Sequence, residues 1–171
     1  MRHRIVPAVV AASAFLAGCG GGKEQSAARP QTTAAAAPST PATAAPAEAP
    51  GAEAYHVCAT CHQANGEGLP NAFPPLAGSD YVNGRGEFHI AIVLKGLAGP
   101  ITVKGQPFNG QMAPWESLPD SQIAAAINYE RASWGNAGKP VTPGEVAAVR
   151  KAVKARNKAW TVDELEQAKL R

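Results

Sequence analysis

The pentapeptide Cys58-Ala59-Thr60-Cys61-His62 sets two thiols three residues apart and follows the second directly with an imidazole. Residues i and i+3 share one side of a helical turn, so both sulfurs can meet the same flat partner. Two thioether bonds to the vinyl groups on one porphyrin edge need that arrangement, and Cys-x-x-Cys-His is the attachment signature of c-type haem. His62 then falls beneath the ring, where an imidazole is the usual proximal ligand to iron. One covalent haem c per chain is the expected cofactor.

Upstream of this turn the 171-residue chain does not read as a domain. Residues 1–18 have the form of a secretory signal: a charged start at Arg2 and Arg4, then an apolar run from Ile5 to Ala17 too short to span a bilayer comfortably. The run ends in Leu16-Ala17-Gly18-Cys19, the pattern of a bacterial lipobox, with Cys19 as the acylated residue. Three cysteines leave one over after the haem motif, and the odd one stands where a lipid would go. Several acyl chains anchor far more firmly than one. Residues 20–50 are mostly Ala, Pro, Thr, Gly and Ser with scattered charge and no large apolar side chain, which predicts a disordered tether over 19–50. It would reach roughly 30 Å as a coil and about 100 Å as extended polyproline. The expected location is the periplasmic side of a bacterial membrane, held by lipid.

The formal net charge is +3, and loss of Arg2 and Arg4 with the signal leaves +1. Nucleic-acid binding has no support in that balance. Lys139, Arg150, Lys151, Lys154, Arg156 and Lys158 make the C-terminal region basic, a pattern that more often marks a solvated face than a steering patch.

Residues 51–160 are read as the haem domain and 161–171 as a short helix or tail. Helices are expected from Glu53 to His62, Glu87 to Leu97 and Asp120 to Trp134, the last stopped by Gly135. Thr142-Pro143-Gly144-Glu145 is a capping box opening a helix to about Arg156, and Thr161 and Glu164 repeat the spacing. Asn65 to Gly78 reads as a loop. Ile101 to Phe108 suggests a small hairpin around Lys104-Gly105, followed by a loop holding Met112. So few large apolar side chains make a thin core, which a covalent haem would complete.

Iron with a proximal histidine is capped for electron transfer or open for chemistry. Once Met1 leaves with the signal, Met112 is the only methionine, and its soft thioether favours ferrous iron. His89 is the competing ligand; otherwise it is a surface or packing residue. His56 is expected in solvent.

The segments YHVCATCHQANGEGLPNAFPPLAGSDYV, GLAGPITVKGQPFNGQMAPW, LPDSQIAAAINYERASWGN and TPGEVAAVR together resemble a bacterial class I mono-haem cytochrome c. The likeness is to domains fused to copper nitrite reductases or found as dehydrogenase and oxidase subunits. It implies an all-α fold wrapped round one haem, thioethers at Cys58 and Cys61, and His62 and Met112 as axial ligands. It also implies that a backbone carbonyl within Pro74-Pro75-Leu76 accepts the His62 Nδ1 hydrogen bond, with Leu76 packed on the haem. Tyr129 and Trp134 would pack the late helix on the first, near Tyr55. Two features depart from the pattern: Ala54 stands where an aromatic residue is usual, and Ala113 separates Met112 from Pro114.

The resulting expectation is a non-enzymatic, membrane-tethered one-electron carrier between redox proteins, with no small-molecule substrate at iron. The alternative is a small haem peroxidase or gas sensor with an open distal site. A redox disulfide or zinc pair at Cys58 and Cys61 would need a strand-turn-helix setting or a second ligand pair.

Overall fold

The computed structural model describes residues 51–170. The signal segment, Cys19 and the whole of the tether lie outside them. Helix α1 spans Ala52–His62, α2 Asp80–Asn83 and α3 Gly86–Lys95; strands β1 (Leu97–Val103) and β2 (Gln106–Met112) follow, then α4 (Asp120–Ala132), α5 (Pro143–Ala152) and α6 (Val162–Gln167). Helix α1 packs on α4, while α3 is covered by α4 and α5.

The core forms where helical periodicity puts apolar side chains on facing stripes. Ile90, Ala91 and Leu94 of α3 meet Ile123 and Ile127 of α4, Val146 and Val149 of α5, and Leu165 of α6. Both expected capping boxes close: Thr142 and Thr161 each accept from the third residue on, whose Glu side chain returns to the cap nitrogen. Chain beyond 160 belongs to this core, with Leu165 and Leu170 buried. Trp160 exchanges backbone hydrogen bonds with Gly96 and Ala98, and the Arg156 guanidinium lies 3.6 Å over its ring.

The all-α expectation is corrected: helices share the domain with a two-stranded antiparallel sheet. Lys104 and Gly105, with φ of 52° and 74°, make the tight turn expected between the strands. The ladder, however, runs from Val103↔Gln106 out to Leu97↔Met112, well past the short hairpin read from sequence. Gly99, Pro100, Pro107 and Gly110 hid it, because all four weaken a strand signal. Met112 therefore ends a strand instead of sitting in a loop, and its position is set by pairing with Leu97.

Helix α4 also stops earlier than its spacing suggests. Trp134 lies outside it with φ 54°, and Gly135 follows at φ 80°. The reversal turns the indole back onto Tyr55 and Tyr129, with ring centroids 5.1 and 5.5 Å away; Tyr55 and Tyr129 are 5.2 Å apart. This aromatic triad joins α1 to α4.

Much of the basic C-terminal region is paired. Arg150 meets Asp120 at 2.8 Å, and Arg156 and Lys158 share Glu164. Lys139, Lys151 and Lys154 are exposed.

Candidate functional site

Cys58 and Cys61 sit one turn apart on α1, both half-buried and both free thiols. His62 is the last residue of that helix and is buried. The chain then leaves through Gln63 at φ 64°. The loop that follows folds back so that the carbonyl of Pro74 lies 2.9 Å from His62 Nδ1. A carbonyl can only accept, so Nδ1 carries the proton, and in the neutral ring Nε2 keeps its lone pair. An imidazole fixed in this tautomer is prepared to bind a metal through Nε2.

Two glycines let this loop close. Gly66, at φ 68°, accepts at its carbonyl from the backbone of Leu76 and Ala77; a Cβ there would lie 2.4 Å from the Trp134 ring. Gly68, at φ 65°, donates to the His62 carbonyl at 2.9 Å, and a Cβ on it would meet the carbonyl oxygens of Phe73 and Pro74 at 2.3 and 2.7 Å. Only glycine fits so close an approach at positive φ.

Asn136 is the residue that clamps the far side of the loop, and the sequence gives no sign of it. Its amide donates to the carbonyls of Leu76 and Glu130 at 3.0 and 2.8 Å, and its Oδ1 accepts from Gly78 N and Asn83 Nδ2, both at 2.8 Å. These partners lie up to 60 residues away, so no local pattern announces them. An Asn136→Ala chain would strand several buried polar groups. We expect a loss of about 2–3 kcal/mol in denaturant unfolding, against a few tenths for an exposed control such as Asn109→Ala.

Met112 is held from several directions. Its side chain is half-buried against the core, and its carbonyl oxygen would lie only 2.3 Å from a Cβ on Gly96. The following segment is pinned by Trp115 N to Val93 O at 2.9 Å, by the Lys95–Glu116 ion pair, and by Arg150 donating to the carbonyls of Glu116 and Leu118.

His89 is neither exposed nor free: it is buried on α3, with Nε2 2.8 Å from Glu130 Oε2 on α4. His56 is exposed, as expected. Glu130 was visible in sequence only as a carboxylate on the apolar stripe of α4, at the spacing of Ile123, Ala126 and Ile127. Beyond His89, its charge also acts on Cys58 in the attachment turn, on the helix that packs against α4. Burial, and after it the Glu130 charge, pushes the Cys58 thiol up to about 12. Burial likewise raises the Tyr55 hydroxyl, which donates to Gln63 O at 2.7 Å. Arg131 is drawn down by burial, with Glu130 acting the other way.

Two unpaired thiols beside a tautomer-fixed imidazole, with a thioether elsewhere in the same domain, make a donor set that fits haem and iron. Among the described residues no group of three or more His, Cys, Asp and Glu could hold a metal ion by itself, so a zinc site at the thiols has no partners there. This is the chemistry of a small helical domain built around a covalently attached haem. The cytochrome c family model matches residues 48–134, and the chain belongs to that family.

Its relatives differ in size. A cytochrome c-552 of Thermus thermophilus is 44% identical over 113 residues, covering 61% of this chain and 76% of that one. The cytochrome c subunit of the quinone alcohol dehydrogenase of Gluconacetobacter polyoxogenes is 34% identical over 107 residues, which are 61% of this chain and 23% of the subunit. The gluconate 2-dehydrogenase cytochrome c subunit of Pantoea cypripedii is 36% identical over 104 residues, 55% of this chain and 22% of the subunit. This chain thus spans less than a quarter of those dehydrogenase subunits. Haem c is the family's covalent cofactor, and Cys58 and Cys61 fit its attachment motif.

Proposed function

We propose that this chain is a one-electron carrier, tethered through Cys19 to a bacterial membrane on its periplasmic side, with His62 and Met112 as the axial ligands of a single haem c. The observation that carries the reading is the His62 Nδ1–Pro74 carbonyl contact at 2.9 Å beside the two free thiols. Attached haem supplies a one-electron iron couple. The residues supply what that couple needs to run quickly. Cys58 and Cys61 hold the ring through bonds that do not depend on affinity. His62 cannot turn while its Nδ1–H is committed to Pro74, so its basicity and direction stay constant through the cycle. Met112, held from the Gly96, Val93 and Arg150 sides, would cap the other face and keep small molecules off iron. Leu76, fixed at both its backbone groups, would pack on the ring.

His89 offers little competition for iron, because its Nε2 is engaged by Glu130. The partners would be redox proteins, and the dehydrogenase subunits among the relatives point to a dehydrogenase on the donor side. No helix among the described residues is long and apolar enough to cross a membrane.

An optical spectrum of the purified mature protein tests the central part of this reading. Sharp reduced c-type bands that carbon monoxide does not move are expected, with a methionine-to-iron band in the oxidised form. A shift under carbon monoxide would instead favour an open distal site and a peroxidase or sensor role. The anchor has its own test: radiolabelled palmitate should enter the wild-type chain in a bacterial host and not the Cys19→Ser chain. Equal labelling of both would remove Cys19 as the lipid site.

A further inference from the structure

Among the described residues, the His89–Glu130 pair is a strongly polar cluster in the core that the haem reading leaves without a purpose. Both side chains are almost wholly buried, at 6% and 3% exposure. Burying a carboxylate costs several kcal/mol unless its charge is well met, and replacing such a pair by well-packed apolar residues of similar volume is often neutral or stabilising. Its compensation here is incomplete. His89 Nε2 is close to Glu130 Oε2, yet that oxygen has no aligned hydrogen bond, and His89 Nδ1 has no partner. Arg131 adjoins Glu130 in sequence, but successive helix residues face different ways. Its guanidinium feels the Glu130 charge first, ahead of Glu145 and Glu87, but its hydrogen bond at 2.8 Å goes to Gly84 O and not to the carboxylate. The remaining neighbours are Tyr55, whose hydroxyl is committed to Gln63 O, and Cys58. The buried carboxylate of α4 therefore acts on Cys58 of α1, the helix packed against it.

We propose that Glu130, oriented by His89, is a tuning residue for electron transfer: a buried negative charge held against the Cys58 attachment point that lowers the reduction potential. The proposal rests on the reading of Cys58 as a haem attachment site. Ferric iron with its porphyrin carries one more positive charge than ferrous, so a nearby carboxylate stabilises the oxidised form. Within the interior, where the effective dielectric is far below that of water, this interaction outlasts the screening that erases surface charges. Sequence position suits the role as well. Glu130 comes from α4 and the thiol from α1, so the contact exists only when the two helices are docked.

The test compares reduction potentials of Glu130→Gln and Glu130→Asp with the parent, each as mature holoprotein at low and high salt. Optical bands are first checked for two thioethers and a capped iron. A variant lacking those bands speaks to the haem reading and not to the tuning. Glu130→Gln keeps the shape and loses the charge. It should favour the reduced state about tenfold, a rise of about 59 mV for one electron, and the rise should persist in high salt. Glu130→Asp retains the charge and should stay near the parent. Equal shifts in both variants, or none in either, would overturn the proposal. If Glu130→Gln does not fold, His89→Gln decides, since it leaves the carboxylate in place and removes the imidazole beside it: a potential below the parent's supports the role, and an unchanged or raised potential overturns it.

Discussion

A Met112→Ala protein is expected to keep its covalent haem, lose its cap and fall in reduction potential. The thioether is a soft ligand that favours ferrous iron, and axial ligands command a span of about 0.8 V. We therefore expect a drop on the order of 100 mV or more. The reduced variant should bind carbon monoxide, and the methionine-to-iron band should vanish. Unfolding does not explain such a result in advance. Met112 is only half-buried, and its backbone is fixed by pairing with Leu97 and by contact with Gly96. Truncating it should cost about 1–2 kcal/mol, less than a fully buried side chain would. The stability loss and the spectral change can be read from one sample. A variant that kept its low-spin spectrum and its potential would sink Met112 as the ligand.

The residues that announced themselves in the sequence are those whose partners are close along the chain. The attachment turn, both capping boxes, the Lys104-Gly105 turn and the helical stripes of α3 and α4 all depend on spacings of two to four residues. The sheet was underestimated because its stability comes from cross-strand pairing as far out as Leu97 and Met112, while its own composition argues against strand. The clamp at Asn136 and the buried pair of His89 and Glu130 were missed for a related reason: His89 and Glu130 are 41 residues apart, and three of the four Asn136 partners lie 53 to 60 residues away. A trace of the latter was present. A carboxylate on an apolar helical stripe, and a histidine within the apolar run of α3, each signal a buried polar group that must find another. Sequence alone could not say that they find each other beside Cys58. Trp134 shows the limit of periodicity. Its spacing matched the helix, but packing on Tyr55 and Tyr129 outweighed one more helical turn.

The second large effect is expected at Gly68. An alanine there meets two separate penalties. At φ 65° an L residue pays on the order of 1 kcal/mol for its Cβ. That Cβ would also lie 2.3 Å from Phe73 O and 2.7 Å from Pro74 O, both backbone atoms that cannot rotate aside. The loop must then shift, and what shifts is the carbonyl that holds His62. We expect Gly68→Ala to lose roughly 3 kcal/mol or more in unfolding. Its potential should also move, because the imidazole loses the acceptor that fixes its direction. Gly135→Ala separates the two penalties. That glycine has φ 80° with nothing within 4 Å of a Cβ, so only the conformational cost applies, again about 1 kcal/mol. A Gly68→Ala protein no less stable than Gly135→Ala, with its potential intact, would mean that the loop yields freely and that the Pro74 carbonyl does not depend on this approach. A larger loss accompanied by a changed potential would tie the glycine, the carbonyl and the proximal ligand into one mechanical unit.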